Sequence, residues 1–326
     1  MSYRRITAAG RLSGVLAVAA VLSVLPFLMS DYHQTEWAYV GVYFIAIFSL
    51  NILTGYTGQV SLGHGGFMMI GGYTSAILAV HHGWNIITTI PIAALICFGT
   101  GIVIGIPALR LRGILLALAT FALAVSMPQI GLKFAHFTGG ISGILTGYRP
   151  GHWLYPLSWS CAAVVFVLGW LVLRGRTGRA FRAIRDSEVA AVSSGINLAL
   201  YKTLAFGVSA AFAGVAGSVF VIASNYAEPN NFPVTLSINI LVGAAIAGLG
   251  SLSGMLFGAI VLEFIPTWSQ SAPLIGSKQA PNVIQGLLLI LIMLVLRGGF
   301  AGLLRRLGGF AARSGASLTD RIPDTS

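Results

Sequence analysis

Apolar residues run along this chain in long blocks separated by short polar breaks, near 12–30, 37–53, 66–80, 86–108, 113–131, 154–173, 202–224, 235–250, 254–266 and 283–297. Most of these blocks have the length, roughly 17 to 24 residues, at which a helix rising 1.5 Å per residue crosses bilayer hydrocarbon. A barrel strand would instead alternate apolar and polar residues over about ten positions. The pattern predicts an all-α, polytopic membrane bundle of about ten helices, each satisfying its own backbone N–H and C=O groups. Residues 1–310 read as one transmembrane domain and 311–326 as a disordered cytoplasmic tail.

Composition sharpens this picture: 56% of residues are hydrophobic and 8% charged, with a mean hydropathy of +0.87, whereas soluble domains carry roughly 25% charged residues. The net charge of +11 does not indicate nucleic acid, because the Lys and Arg lie in loops between apolar blocks rather than on one water-exposed basic face. With a cytoplasmic N-terminus, the inner side collects Arg4, Arg5, Arg11, Arg110, Arg112, the cluster from Arg174 to Lys202, and the basic residues from Arg297 onward. The outer side keeps only Lys133, Arg149 and Lys278, so 16 of 19 Lys and Arg lie inside. That bias predicts cytoplasmic termini at both ends and an even number of spans. The N-terminal arginines and the run Leu12–Met29 resemble the first regions of a signal peptide, but the run is long and no A-x-A-like site follows; it reads as the first span. Cys97 and Cys161 lack metal-ligand spacing and read as small packing residues.

The 41 glycines, including the pairs Gly101/Gly105 and Gly254/Gly258, read as sites of close helix packing. Gly63-His64-Gly65-Gly66 is different: glycine at that density breaks a helix, and irregular backbone within a membrane must be buried in protein or line a cavity. Gly58-Gln59-Val60-Ser61-Leu62 is echoed by Gly248-Leu249-Gly250-Ser251-Leu252, a G-x-x-S-L match that makes an internal repeat a candidate, with coincidence the competing reading. Polar residues in or beside the spans are few: Asn51, Gln59, His64, Asn239, Glu263 and Gln285. Such groups are costly in a membrane and tend to face a cavity. His64 reads more plainly as a residue bonded to its surroundings than as a titrating switch, and Glu263 as a side chain reaching the outer interface.

The longest hydrophilic segment between spans runs from Arg174 to Tyr201. Arg179, Arg182 and Arg185 recur every three residues beside Phe181 and Ile184, and Arg182 and Asp186 stand at i,i+4, which predicts one short amphipathic helix with an ion pair, stopped by Gly195 and Asn197. A basic helix lying on lipid headgroups is one reading. A docking helix for a cytoplasmic protein is the other, and the interspersed Asp186 and Glu188 favour it. No lysine follows a glycine, so no nucleotide-binding P-loop exists, and neither H-E-x-x-H nor G-x-S-x-G occurs. Enzyme chemistry within this chain has no visible catalytic group.

Three stretches together resemble the permease subunits of bacterial ABC importers for branched-chain amino acids, the LivM type. They are Asn51-Ile52-Leu53-Thr54-Gly55-Tyr56-Thr57-Gly58-Gln59-Val60-Ser61-Leu62-Gly63-His64-Gly65, then Arg182-Ala183-Ile184-Arg185-Asp186 leading through Ala190, Ala191 and Gly195 to Tyr201-Lys202, and Leu109-Arg110-Leu111-Arg112-Gly113-Ile114 with the later Thr138-Gly139-Gly140. The resemblance implies a subunit of the bacterial inner membrane that pairs with a homologous permease, binds two cytoplasmic ATPase subunits and receives solute from an extracytoplasmic binding protein. ATP and Mg would be handled by the partners, with no cofactor in this chain. It places Arg179, Arg182, Arg185, Asp186, Glu188, Ala190, Ala191 and Gly195 in ATPase coupling, and Asn51, Tyr56, Thr57, Gln59, Ser61, His64, Thr138, Gly139 and Gly140 on the substrate path. The family's E-A-A-x-x-x-G signature is displaced here, with Val189 before Ala190-Ala191, Gly195 in place, and the acid one position early at Glu188. Scarce charge along the spans suits a small, net-neutral, partly apolar solute. A urea or amide permease of the same architecture, an ion-coupled secondary carrier and a non-transporting scaffold are the other readings; the carrier is weakened by the lack of a chain of acids across the spans.

Overall fold

The computed structural model describes residues 25–111 and 113–271, together with five positions between 286 and 302. The described chain is almost entirely helical. Helix α1 covers Asp31–Leu50 and runs on as a wider π turn over Asn51–Tyr56. Then follow α2 (His64–His81), α3 (Ile86–Ala108), α4 (Ile114–Lys133), α5 (Gly151–Arg174), α6 (Arg176–Asp186), α7 (Glu188–Ser193), α8 (Leu198–Ser224), α9 (Val234–Ala247) and α10 (Met255–Ser271). Eight of the ten apolar blocks fall on these helices, and six described segments are long and apolar enough to cross a membrane. Most of the first and last blocks, and all of the tail 311–326, Gln285, Lys278 and the terminal arginines, lie outside the described residues.

Local chemistry sets the helix ends. The Asn85 side chain accepts from the Ile87 N–H at 3.0 Å to start α3, and Asn197 accepts from the Leu200 N–H at 3.1 Å to start α8, each satisfying an orphan donor of the first turn. The block read as 235–250 stops three residues sooner, at Ala247, because Gly248 and Gly250 take φ of +98° and +77°, which a right-handed helix cannot contain. The single amphipathic helix expected between spans is two: Ser187 is extended (φ −163°, ψ 116°), ends α6 and caps α7 by accepting from the Ala190 N–H at 3.3 Å.

The core is built around α8, which packs on α1, α2, α3 and α5. The most apolar stretches of α1 and α8 are each 83% buried, against 22% for α4, so α1 and α8 form the interior and α4 a flank. Small residues bring the backbones together. Gly101 and Gly105 of α3 lie against Ala210 and Phe206 of α8, an antiparallel crossing. Along α2, His64 meets Ser209, and Gly217 of α8 fits against the backbone of Met68, a parallel one. Gly254 and Gly258 seat against Ala247 and Gly243 of α9, and the Cys97 thiol, buried in the same core, points at the Phe67 carbonyl at 3.5 Å. At the C-terminal end of α8, β1 (Ile144–Leu145) pairs antiparallel with β2 (Tyr226–Ala227).

Candidate functional site

The linker between the spans α5 and α8 folds as a shelf. On α6, Gly178, Ala180, Phe181 and Ile184 are buried, with Phe181 fully enclosed and edge-on to Tyr201 at 6.5 Å. Arg179, Arg182 and Asp186 face outward, as do Val189, Ala190 and Gly195 on and after α7. Spacing of three and four residues produces this split, since it places the arginines on one face and Phe181 and Ile184 on the other. The i,i+4 ion pair expected between Arg182 and Asp186 is not formed: no nitrogen of Arg182 lies within 4 Å of the Asp186 carboxylate. Both side chains are solvated, where such a pair gains little over the entropy of holding it. An ion pair forms instead between Glu188 and Lys202 at 2.5 Å, with the lysine only 7% exposed, and it ties α7 to the first turns of α8. Ala191 is buried beside it. The residues assigned to ATPase coupling therefore divide into an outward set of Arg179, Arg182, Asp186, Ala190 and Gly195, a set of Glu188 and Ala191 packed against the bundle, and Arg185, exposed but bonded inward through its guanidinium.

Arg185 is exposed, yet its guanidinium bonds to the bundle. Its Nη1 donates to the Gly55 carbonyl in the π turn at 2.7 Å, its aliphatic stem packs on Gly58, and its guanidinium lies against Gly250. One side chain thus touches the break after α1, the break after α9 and the shelf. Asn51 closes the same junction from within: its Nδ2 donates to the Ser251 carbonyl at 2.9 Å and its Oδ1 accepts from the Gly250 N–H at 2.7 Å. A side chain on Gly55 would occupy the space of the Asn51 amide and the Gly250 nitrogen, so only glycine fits there. The two echoed segments, Gly58–Leu62 and Gly248–Leu252, each leave a helix at a positive-φ glycine, and Arg185 touches both, at Gly58 and at Gly250.

Beyond Gly58 the chain returns toward α2 without helix, and Gln59, Ser61 and Gly63 are buried while Gly58 and Val60 are exposed, the alternation of an extended strand. Bilayer depth tolerates such backbone only where protein satisfies it. Here the Thr54 hydroxyl donates to the Gln59 carbonyl, Gln59 Nε2 donates to Thr57 Oγ1 at 3.0 Å, Thr57 donates to the Leu53 carbonyl, and the Leu62 N–H donates to Thr120 at 2.9 Å. The Gly63 N–H donates to Ser61, and the Gly65 N–H to Ser237 at 2.8 Å. His64, 1% exposed, bonds Ser209 at 2.9 Å; because the Ser209 hydroxyl donates to the Ser49 carbonyl, His64 Nε2 carries the proton. Tyr56 is buried in the π turn. Thr138, Gly139 and Gly140 stand elsewhere: Thr138 donates to the Gly131 carbonyl at 2.7 Å, and the two glycines take positive φ in the turn that leads to β1. That turn meets Tyr226 and Ala227, beyond the C-terminal end of α8, and the hydrogen bonds of Thr138 and Gly140 stay within 131–143. Gly250, Ser251, Ser209 and Lys202 were invisible as site residues in the sequence, although the echoed G-x-x-S-L contains the first two.

Asn51 supports a direct prediction. Asn51→Ala leaves the Gly250 N–H and Ser251 C=O without their buried partner, a cost of about 2–5 kcal/mol. The thermal midpoint of the purified protein should fall, and limited proteolysis should open the 248–254 stretch; an unchanged midpoint would remove the clamp from the account.

The chain matches the family model described as branched-chain amino acid transport system / permease component over residues 34–296. It is 32% identical over 280 residues to the high-affinity branched-chain amino acid transport system permease protein LivM of Escherichia coli and 30% identical over 281 residues to that of Salmonella typhimurium. Each alignment takes in 76% of this chain and 66% of the relative, so the match spans slightly under two thirds of those proteins. The ribose import permease protein RbsC of Haemophilus influenzae is 28% identical over 130 residues, 38% of this chain and 39% of that one. No solved structure matches.

Proposed function

This chain belongs to the family of branched-chain amino acid transport permease components, and on that premise we propose that it is the membrane subunit of an ABC importer for aliphatic amino acids. Its partners in this reading are a homologous permease, two cytoplasmic ATPase subunits gripping the outer face of α6 and α7, and an extracytoplasmic binding protein. The membrane is the bacterial inner membrane, crossed about ten times with both termini in the cytoplasm, in keeping with the 16 to 3 bias of basic residues. The LivM relatives support the solute class, together with spans that offer little charge to a net-neutral, partly apolar molecule.

The observation that carries the reading is the two-sided shelf: an outer face with Arg179, Arg182 and Asp186, a buried face with Phe181 and Ile184, and at its edge the exposed Arg185, whose guanidinium holds the carbonyl of Gly55. A load applied to the outer face has a bonded route to the interrupted helix. Nucleotide would drive transport by favouring one arrangement of that route over the other. Replacing Arg182 and Asp186 together by Ala should abolish solute-stimulated ATP turnover in the reconstituted complex while membrane insertion, read by fractionation, stays intact. Normal turnover in that variant refutes ATPase docking on this face.

A further inference from the structure

At the end of α8 far from the shelf lies a cavity of about 580 Å3, lined among others by Trp84, Ile87, Thr146, Arg149, His152 and Trp153. The Arg149 N–H donates to Asn225, the residue that ends α8, and α8 is 27 residues long, about 40 Å at 1.5 Å per residue, so the cavity and the shelf sit on opposite sides of the bundle.

Arg149 is held in a fixed pose. Its guanidinium lies over the Trp153 ring at 5.3 Å, and Nη1 donates to the Thr146 and Gly147 carbonyls at 2.9 and 3.0 Å. No carboxylate of the described residues comes within 4 Å of it; the nearby Asp31 accepts from the backbone and ring of His152 instead. The remaining guanidinium donors suit an anion with oxygens in a plane or a fork, as phosphate presents. Trp84 and Trp153 mark interfacial depth, the level at which indole rings gather in membrane proteins. Below Ile87, 48% exposed, the same face of α3 continues through Pro91 to Leu95, 71% exposed, at i, i+4 and i+8. The site therefore offers a cation above and an uncovered apolar stripe beneath. The lining holds no carboxylate to pair with the ammonium of an amino acid, so its charge favours an anion.

We propose that this cavity holds the headgroup phosphate of an anionic phospholipid of the leaflet away from α6, with an acyl chain along Ile87, Pro91 and Leu95. The inference depends on the membrane reading and not on ATP coupling or on the solute. Its test is native mass spectrometry of the full chain released from nanodiscs of phosphatidylglycerol and phosphatidylethanolamine, in a background where Arg179→Gln and Arg182→Gln remove the basic shelf as a competing site. The parent chain should retain phosphatidylglycerol selectively. Arg149→Gln should weaken that retention roughly tenfold, the scale of a charge-assisted bidentate contact; Arg149→Lys should recover part of it, and Leu95→Gln, at a position 71% exposed, should weaken it with the guanidinium intact. Unchanged retention in both Arg149→Gln and Leu95→Gln overturns the site, and displacement of the lipid by millimolar inorganic phosphate reassigns it to a free anion.

Discussion

Arg185→Gln should leave the complex assembled and able to hydrolyse ATP at its basal rate, yet reduce solute stimulation of that rate by roughly 30-fold. The size follows from the one bond at issue. A charge-assisted hydrogen bond from an exposed arginine to the buried Gly55 carbonyl contributes at most about 2 kcal/mol, and a bias of that size between two arrangements corresponds to about a 30-fold change in their ratio. Gln lacks both the charge and the reach to Gly55, while α6 keeps Phe181 and Ile184 as its anchors, so the shelf itself stays folded. The measurement is ATPase activity of the reconstituted complex with and without solute, alongside co-purification of the ATPase. Loss of co-purification would place Arg185 in docking rather than in transmission, and full stimulation would remove it from both. Arg182 and Asp186, which make no bond to the π turn, should show the reverse pattern, with assembly failing first.

The largest effect on stability is expected at Gly217. A Cβ there would stand inside the backbone of Met68 on α2, and the adjacent Ser218 hydroxyl bonds the Gly71 carbonyl at 3.0 Å, so α2 and α8 cannot separate without breaking that bond as well. Gly217→Leu should cost about 3 kcal/mol or more through overpacking, which lowers the thermal midpoint by roughly 5–10 °C for a protein of this size. Gly99→Leu on α3 is the control, because a Cβ at Gly99 meets nothing within 4 Å and the residue is exposed. Equal midpoints for the two variants would mean that the α2/α8 crossing is not where the bundle is tight.

The placement of most spans was legible because apolar length is a direct consequence of bilayer thickness: 86–108 was read as a helix and is one, and 113–131 shifts only to 114–133. The break near Gly63 was legible for a similar reason, since glycine density is a local property. Three features were not. Ser187 is a good N-cap type, but the periodicity of the arginines runs past it, and its extended geometry shows only in the folded chain, where α7 is tied to Lys202. The π turn over Asn51–Tyr56 is held by Gly250 donating to Asn51 and Ser251 accepting from it, partners that no window of sequence contains. Arg185 was grouped with Arg179 and Arg182 by its three-residue spacing, yet drift of a 3.6-residue helix over two such steps turns it toward Gly55. The residues expected on a single substrate path fall into two groups because a family motif orders residues along the chain and says nothing of which end of a 27-residue helix they reach.

The Asn51 amide bonds to a carbonyl 200 positions later in the chain. A ribosome adding about 5–20 residues per second needs on the order of 10–40 s to make that partner. For that interval the nascent chain has produced α1, its wide turn and the basic shelf, while the amide lacks the groups that finally saturate it. The interrupted helix can therefore acquire its settled form only after α9 has emerged. Truncations of the gene upstream of codon 251 would be expected to yield an inserted but unlatched intermediate, a natural substrate for membrane quality control.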